Sequence, residues 1–149
     1  MRAVIQRVDR ARVCVDGDTV GEIAGGLLVF VSVGIDDDEG DARMLAEKIA
    51  ELRILPDDRG LMNRSIRQNG GAVLLVSQFT LHGDVRRGRR PSFAAAAKEP
   101  QASELYRQVG DGLEARGLTV AYGRFGAHMD VELVNTGPVT ILLDTKRAF

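Results

Sequence analysis

The stretch 27–33, Leu-Leu-Val-Phe-Val-Ser-Val, sets the strongest limit on what this chain folds into. It is apolar apart from Ser32 and is bounded by Gly25, Gly26 and Gly34. A strand apolar on both faces needs other layers on both sides. The chain supplies helices for them. Between 38 and 53, Ala42, Leu45, Ala46, Ile49 and Leu52 form one helical stripe, with Arg43 and Glu47 as an i,i+4 pair on the wet side. A second helix is expected over 100–116, with Pro100 near its first turn and Gly117 as its stop. Its stripe is Ala102, Leu105, Tyr106, Val109 and Leu113.

The other elements read as strands. Val13-Cys14-Val15 and Asp18-Thr19-Val20 flank Asp16-Gly17, the pattern of a tight hairpin. Asn69-Gly70-Gly71 launches a short buried strand over 72–76, and further strands are expected over 118–123, 128–134 and 139–144. The order runs strand-rich, then β-α-β-α, then strand-rich, without repeat or linker. It predicts an α/β fold of layered mixed sheets, one domain over 1–149. Residues 82–99 break the pattern with glycines, arginines, Pro91 and a run of alanines, and a loop that long is functional or mobile.

Several function classes fall away. Cys14 is the only cysteine, and His82 and His128 are the only histidines. Neither a disulfide framework nor a thiolate metal cluster is available, so no metal and no cofactor is expected. No apolar stretch approaches the roughly 18 residues of a membrane helix. The arginine-rich start, with Arg2, Arg7, Arg10 and Arg12, leads into no signal-peptide segment, so a cytoplasmic protein without membrane contact is expected. The glycines at 110, 112, 123 and 126 match neither a Walker loop nor a dinucleotide fingerprint. Net charge is only −1 but unevenly spread. Asp36, Asp37, Asp38, Glu39 and Asp41 suit a helix start, whereas Arg86, Arg87, Arg89, Arg90 and Lys98 meet only Asp84 within 82–98. That basic run is either a solvated loop or a phosphate contact.

Three stretches set polar residues at strand ends. They are Ser77-Gln78-Phe79-Thr80-Leu81 after the buried run, Gly88-Arg89-Arg90-Pro91-Ser92-Phe93 in the irregular loop, and Asn135-Thr136-Gly137-Pro138-Val139-Thr140 between two expected strands. Ligands bind at the carboxyl ends of strands in open α/β sheets, which favours the first. Each also fits a plain role: Ser and Thr satisfy backbone groups, and Asn-x-Gly-Pro makes turns. In an extended 78–82 segment, Gln78, Thr80 and His82 share a face, so a Thr80–His82 dyad is conceivable, without an acid to orient the imidazole.

With Met1-Arg2-Ala3-Val4-Ile5-Gln6-Arg7-Val8 at the start, these motifs in this order resemble the D-aminoacyl-tRNA deacylases over the whole chain. The resemblance implies a barrel-like, homodimeric esterase. It would cleave the ester joining a D-amino acid to the terminal adenosine of tRNA, and would also remove glycine from mischarged tRNA. Ser77, Gln78, Phe79 and Thr80 would be catalytic, with Leu81 on the same wall. Gly137-Pro138, with Val139, Thr140 and Met129, would filter chirality, the Gly-Pro pair entering the partner's active site with a cis bond. A backbone that collides with an L Cβ spares a D side chain and cannot reject glycine.

Two mechanisms are open on this resemblance. Thr80 attacks as a nucleophile, or backbone N–H groups near Phe79 and Thr80 form an oxyanion hole while the terminal 2′-hydroxyl helps activate water. The second is preferred because Thr80 has no convincing base. Gln78 would orient the 3′ end, and Arg86, Arg87, Arg89 and Arg90 would grip acceptor-stem phosphates. The rivals are a non-catalytic nucleic-acid-binding protein that uses the arginine loop, and an editing deacylase for mischarged L-aminoacyl-tRNA with a trans Gly-Pro bond.

Overall fold

In the computed structural model, which describes residues 1–149, the apolar run lies at the centre of the main sheet. It forms β3 (Gly26–Ser32), antiparallel to β1 (Arg2–Val15) on one side and parallel to β6 (Ala72–Ser77) on the other. β2 (Asp18–Ile23) folds back on β1 through Asp16 and Gly17, whose φ angles of 51° and 85° are what an Asp-Gly turn tolerates. β7 (Thr119–Tyr122) extends the parallel run, giving the order β2-β1-β3-β6-β7. The sheet then curls until its two edges meet. A Cβ on Gly21 of β2 would stand 2.2 Å from the carbonyl oxygen of Tyr122 on β7, so only glycine allows that approach. The outcome is the expected layered α/β architecture with a nearly closed, barrel-like sheet.

Alternation along the strands sorts side chains into two cores. Leu28, Leu74 and Val76 point into the barrel with Val8, Ala11, Val13 and Ile23. Leu27, Val29, Val31, Val73 and Leu75 point the other way, under α1 (Glu39–Glu51) and α3 (Gln101–Glu114). The helices return the stripes expected of them: Ala42, Leu45, Ala46 and Ile49 from α1, and Leu105, Tyr106, Val109 and Leu113 from α3. Asp38 caps α1, its carboxylate accepting from the Asp41 N–H and its own N–H donating to the Asp41 carboxylate, so the acidic run does open a helix. Leu52 lies just past its end. Three short elements escaped sequence reasoning: β4 (Leu55–Pro56), β5 (Met62–Arg64) and α2 (Ile66–Asn69).

The C-terminal strands correct the sequence expectation. Segments 128–134 and 139–144 are not separate strands joined by a turn but one strand, β8 (Asp130–Asp144), antiparallel to β1 along its length. Gln6 pairs with Thr140 and Val8 with Asn135, so residues 136–139 oppose the single residue Arg7 and are extruded as a wide bulge.

A cluster of charges ties the chain ends to α1. The Met1 ammonium meets Asp37 at 2.7 Å, and Lys146 Nζ meets Asp41 at 2.6 Å. Burial pushes the Asp41 carboxyl up, but bonds from Lys146, Thr145 and the Asp38 N–H outweigh it and hold it at about 2. A carboxylate held below its ordinary value, about 3.9, stabilises the fold above that value and loses the contribution as pH falls through the folded one. Asp41→Asn is therefore expected to cost about 2 kcal/mol at neutral pH and to flatten the loss of stability as pH falls from about 4 to about 2, read by urea unfolding. Leu74→Ala, emptying a fully buried barrel position, should cost about 2–5 kcal/mol in the same measurement.

Candidate active site

Because β3 and β6 run parallel, their carboxyl ends open on the same edge. Ser32 and Ser77 end the two strands there, and the Gln78 N–H donates to Val31 O at 2.8 Å as a last rung. Beyond that edge lies a cavity of about 310 Å³. Val31, Val33, Val76, Phe125 and Val131 supply apolar wall, and Ser32, Ser77, Gln78 and His128 bring polar atoms to it. Of the residues expected from sequence, Ser77, Gln78, Phe79 and Met129 line this cavity together. Thr80, Leu81 and the Gly137 to Thr140 segment do not.

Residues 79–82 overturn the extended geometry behind the Thr80–His82 dyad. Phe79–His82 is one turn of 3-10 helix. The Thr80 hydroxyl accepts instead from Gln78 Nε2 at 2.6 Å, and His82 Nδ1 lies 2.6 Å from the Ser32 hydroxyl. An amide does not titrate, so nothing beside Thr80 is built to take its proton. Burial pushes the His82 imidazole below its ordinary value, assisted by Arg2. The turn is held from several sides: Arg2 Nη1 donates to Leu81 O at 2.9 Å, and Ser32 Oγ lies 3.3 Å from Phe79 O. Sequence reasoning assigned no role to Ser32, Arg2 or His128. Ser32 was the one polar residue in the central run, and that was the available signal.

The arginine loop adjoins this turn. Phe93 meets Phe79 edge to face with ring centroids 5.1 Å apart, and Asp84 and Ser92 exchange backbone bonds that close the loop at its base. Arg86 is claimed by Asp84 through two side-chain bonds, which hold the Asp84 carboxyl well below the usual range. Arg87, Arg89 and Arg90 are exposed and make no ion pair.

The Asn135 to Thr140 motif has its own structural logic at the neck of the bulge. Asn135 Oδ1 accepts from the Val139 N–H at 2.9 Å, and Asn135 Nδ2 donates to Thr140 Oγ1 at 3.1 Å. Gln6 Nε2 donates to the same hydroxyl. Arg7 Nε holds Thr136 O, and its Nη1 holds Ile54 O. Gly137 and Pro138, joined by a cis bond, stand exposed at the tip. Gly137 has φ of 131°, and a Cβ there would lie 2.8 Å from Arg7 Nη2.

Comparison with known proteins adds the decisive observation: the family model described as D-Tyr-tRNA(Tyr) deacylase matches residues 4–144. The chain belongs to that family. Curated relatives named D-aminoacyl-tRNA deacylase are 58% identical in Symbiobacterium thermophilum, over 100% of this chain and 99% of the relative, and 54% identical in Desulforudis audaxviator, over the full length of both. Among solved structures, a c-Myc DNA unwinding element binding protein superposes with TM-score 0.91 at 35% identity, covering 97% of this chain and 99% of its own. A probable eukaryotic D-amino acid tRNA deacylase shares the fold, with TM-score 0.80 at 18% identity over 95% of this chain and 97% of its own. Membership in the deacylase family carries its activity: the chain is a hydrolase of ester bonds that acts on D-aminoacylated tRNA. No helix is long and apolar enough to cross a membrane.

The bulge yields a stability test. Gly137→Ala meets both an unfavourable φ and the Arg7 guanidinium, and should destabilise by about 1–3 kcal/mol. Asn135→Ala removes both bonds across the neck and should cost about 1–2 kcal/mol. Thermal unfolding reads either loss.

Proposed function

We propose that residues 1–149 act as one D-aminoacyl-tRNA deacylase domain, working as a homodimer in the cytoplasm. Gly137 and Pro138 of one copy complete the active site of the other. The observation that carries this reading is the family match over residues 4–144. The geometry supports it in two ways. The polar motif Ser77-Gln78-Phe79 edges an apolar cavity, suited to a substrate whose terminal nucleoside is flat and whose ester needs oriented donors. Gly137 and Pro138 are exposed and lie outside the cavity of their own chain, so reaching such a site requires a second copy.

In this reading the backbone around Gly137 and Pro138 excludes an L Cβ by collision and leaves a D side chain room. Val139, Thr140, Met129 and Leu81 support that wall. Specificity arises from rejection, and glycine, which has no Cβ, is admitted. Catalysis rests on position and on N–H donors of Phe79 and Thr80 at the developing oxyanion, with the terminal 2′-hydroxyl helping to activate water. Thr80 serves as a hydrogen-bond partner of Gln78, not as nucleophile. Arg87, Arg89 and Arg90, free of carboxylates, hold acceptor-stem phosphates, and Arg86 contributes less because Asp84 occupies it.

Matched D-tyrosyl- and L-tyrosyl-tRNA decide the central point: ester loss is expected from the D form and not from the L form, and from glycyl-tRNA as well. Cleavage of the L form would point to the other editing class. Thr80→Ala is expected to retain most of its turnover, and near-complete loss with binding intact would reinstate nucleophilic attack. Replacing Arg87 and Arg89 by Gln should raise KM at low salt and reduce the slope of log KM against log salt by about two. A second reading, nucleic-acid binding without catalysis, is favoured by the name of the 35% identical structure. Bound tRNA with neither ester cleaved would support it.

A further inference from the structure

The buried hydroxyl of Ser32 sits between two acceptors. His82 Nδ1 lies 2.6 Å from it and the Phe79 carbonyl oxygen 3.3 Å. Ser32 is 1% exposed, and its single proton can serve only one of the two acceptors at a time. The Phe79 carbonyl belongs to the same peptide unit as the Thr80 N–H, and in a trans peptide the two point in opposite directions. Whatever holds the carbonyl inward aims the N–H outward and polarises it. We propose that Ser32 and His82 are positioning residues for the deacylation: the proton on His82 Nδ1 decides whether the Ser32 hydroxyl is given to the imidazole or to Phe79 O, and so sets the donor strength of the Thr80 N–H. The proposal rests on the reading that this N–H serves the oxyanion.

The chemistry follows from one shared proton. A neutral ring with a bare Nδ1 accepts the Ser32 O–H, and Phe79 O goes without. The long 3.3 Å contact fits that state. A protonated Nδ1 donates to Ser32 Oγ, and the hydroxyl proton turns to Phe79 O. Four formal charges face the imidazole: Arg2 from β1, the Met1 ammonium, Asp37 from the loop before α1, and Asp144 at the end of β8. They pair with one another, Arg2 with Asp144 at 3.0 Å and Met1 with Asp37 at 2.7 Å, so neither sign dominates. Burial then keeps the ring neutral at pH 7 and places its protonation on the acid side of the ordinary value, about 6.5.

Two readouts test the linkage. By NMR, the Thr80 amide of the free protein should shift with pH at the same midpoint as the His82 ring, and Ser32→Ala should abolish that shift. In turnover, the ratio of wild-type kcat to that of His82→Gln should rise by about 3- to 10-fold as pH falls through the midpoint, with KM unchanged. The ratio cancels the intrinsic pH dependence of the ester. A residue needed only for folding would lower activity equally at every pH. A Thr80 amide that does not titrate, or that still titrates in Ser32→Ala, overturns the proposal, as does a flat ratio. Because the amide is read without substrate, an enzyme that hydrolyses no D-ester would sink the deacylation reading separately.

Discussion

Six residue pairs, from Gly26 against Ala72 to Val31 against Ser77, lock β3 and β6 in parallel, and the rest of the molecule depends on that pairing. Parallel neighbours cannot be joined by a tight turn, so the chain between them must cross over, and α1 lies in the crossover. Parallel neighbours also finish on the same edge. That is why Ser32 and Ser77, far apart in sequence, reach one cavity, and why the backbone departs there into a 3-10 turn instead of a hairpin. Both faces of the pair are covered, so the polar atoms at its end are held by a core that has little room to move.

β1 carries the second constraint. Ala3 and Ile5 face the helices and Val8 the barrel interior, as strict alternation requires, but Ala11 and Val13 face the interior too, so the alternation slips between Val8 and Ala11. Of the two register shifts against β8, the one between Val8 and Arg10 falls at that slip, and the one between Gln6 and Val8 lies just before it. Two neighbouring irregularities therefore act side by side: the one at Arg7 extrudes residues 136–139 of β8, and the one at Asp9 changes the face that β1 presents to the interior. Arg7 fills the gap on the β1 side, and Asn135 bridges it on the β8 side. The exposed Gly137-Pro138 tip is thus anchored at its neck from both strands.

Much of this was legible in the residues. The central run, the Asp-Gly hairpin and both helical stripes follow from periodicity, because burial on a regular element repeats with its pitch. The bulge was not legible as such. Asn-x-Gly-Pro carries every sign of a turn, and only the partner strand tells a turn from an extrusion within a continuous ladder. The 79–82 turn was missed for a similar reason: Phe-Thr-Leu-His has the composition of a strand, yet β3 ends at Ser32 and leaves nothing for it to pair with. At the cavity, Ser77, Gln78, Phe79 and Met129 came from a resemblance of motifs. Ser32 and His128 reach it through topology, which one-dimensional spacing does not encode.

Net charge is a poor guide to how such a chain meets a polyanion. The acids of the 36–41 run that are buried are already answered, Asp37 by the Met1 ammonium and Asp41 by Lys146, and the helix start takes up Asp38. Their field is damped where they sit. At the opposite extreme, Asp84 neutralises only Arg86, so the exposed loop, whose Phe93 packs on Phe79, keeps three unpaired guanidinium groups. Screening limits exposed charges to about 10 Å at ordinary ionic strength, so a phosphate approaching the loop responds first to those three unpaired guanidinium groups. A formal charge of −1 is therefore compatible with a locally cationic approach to the cavity.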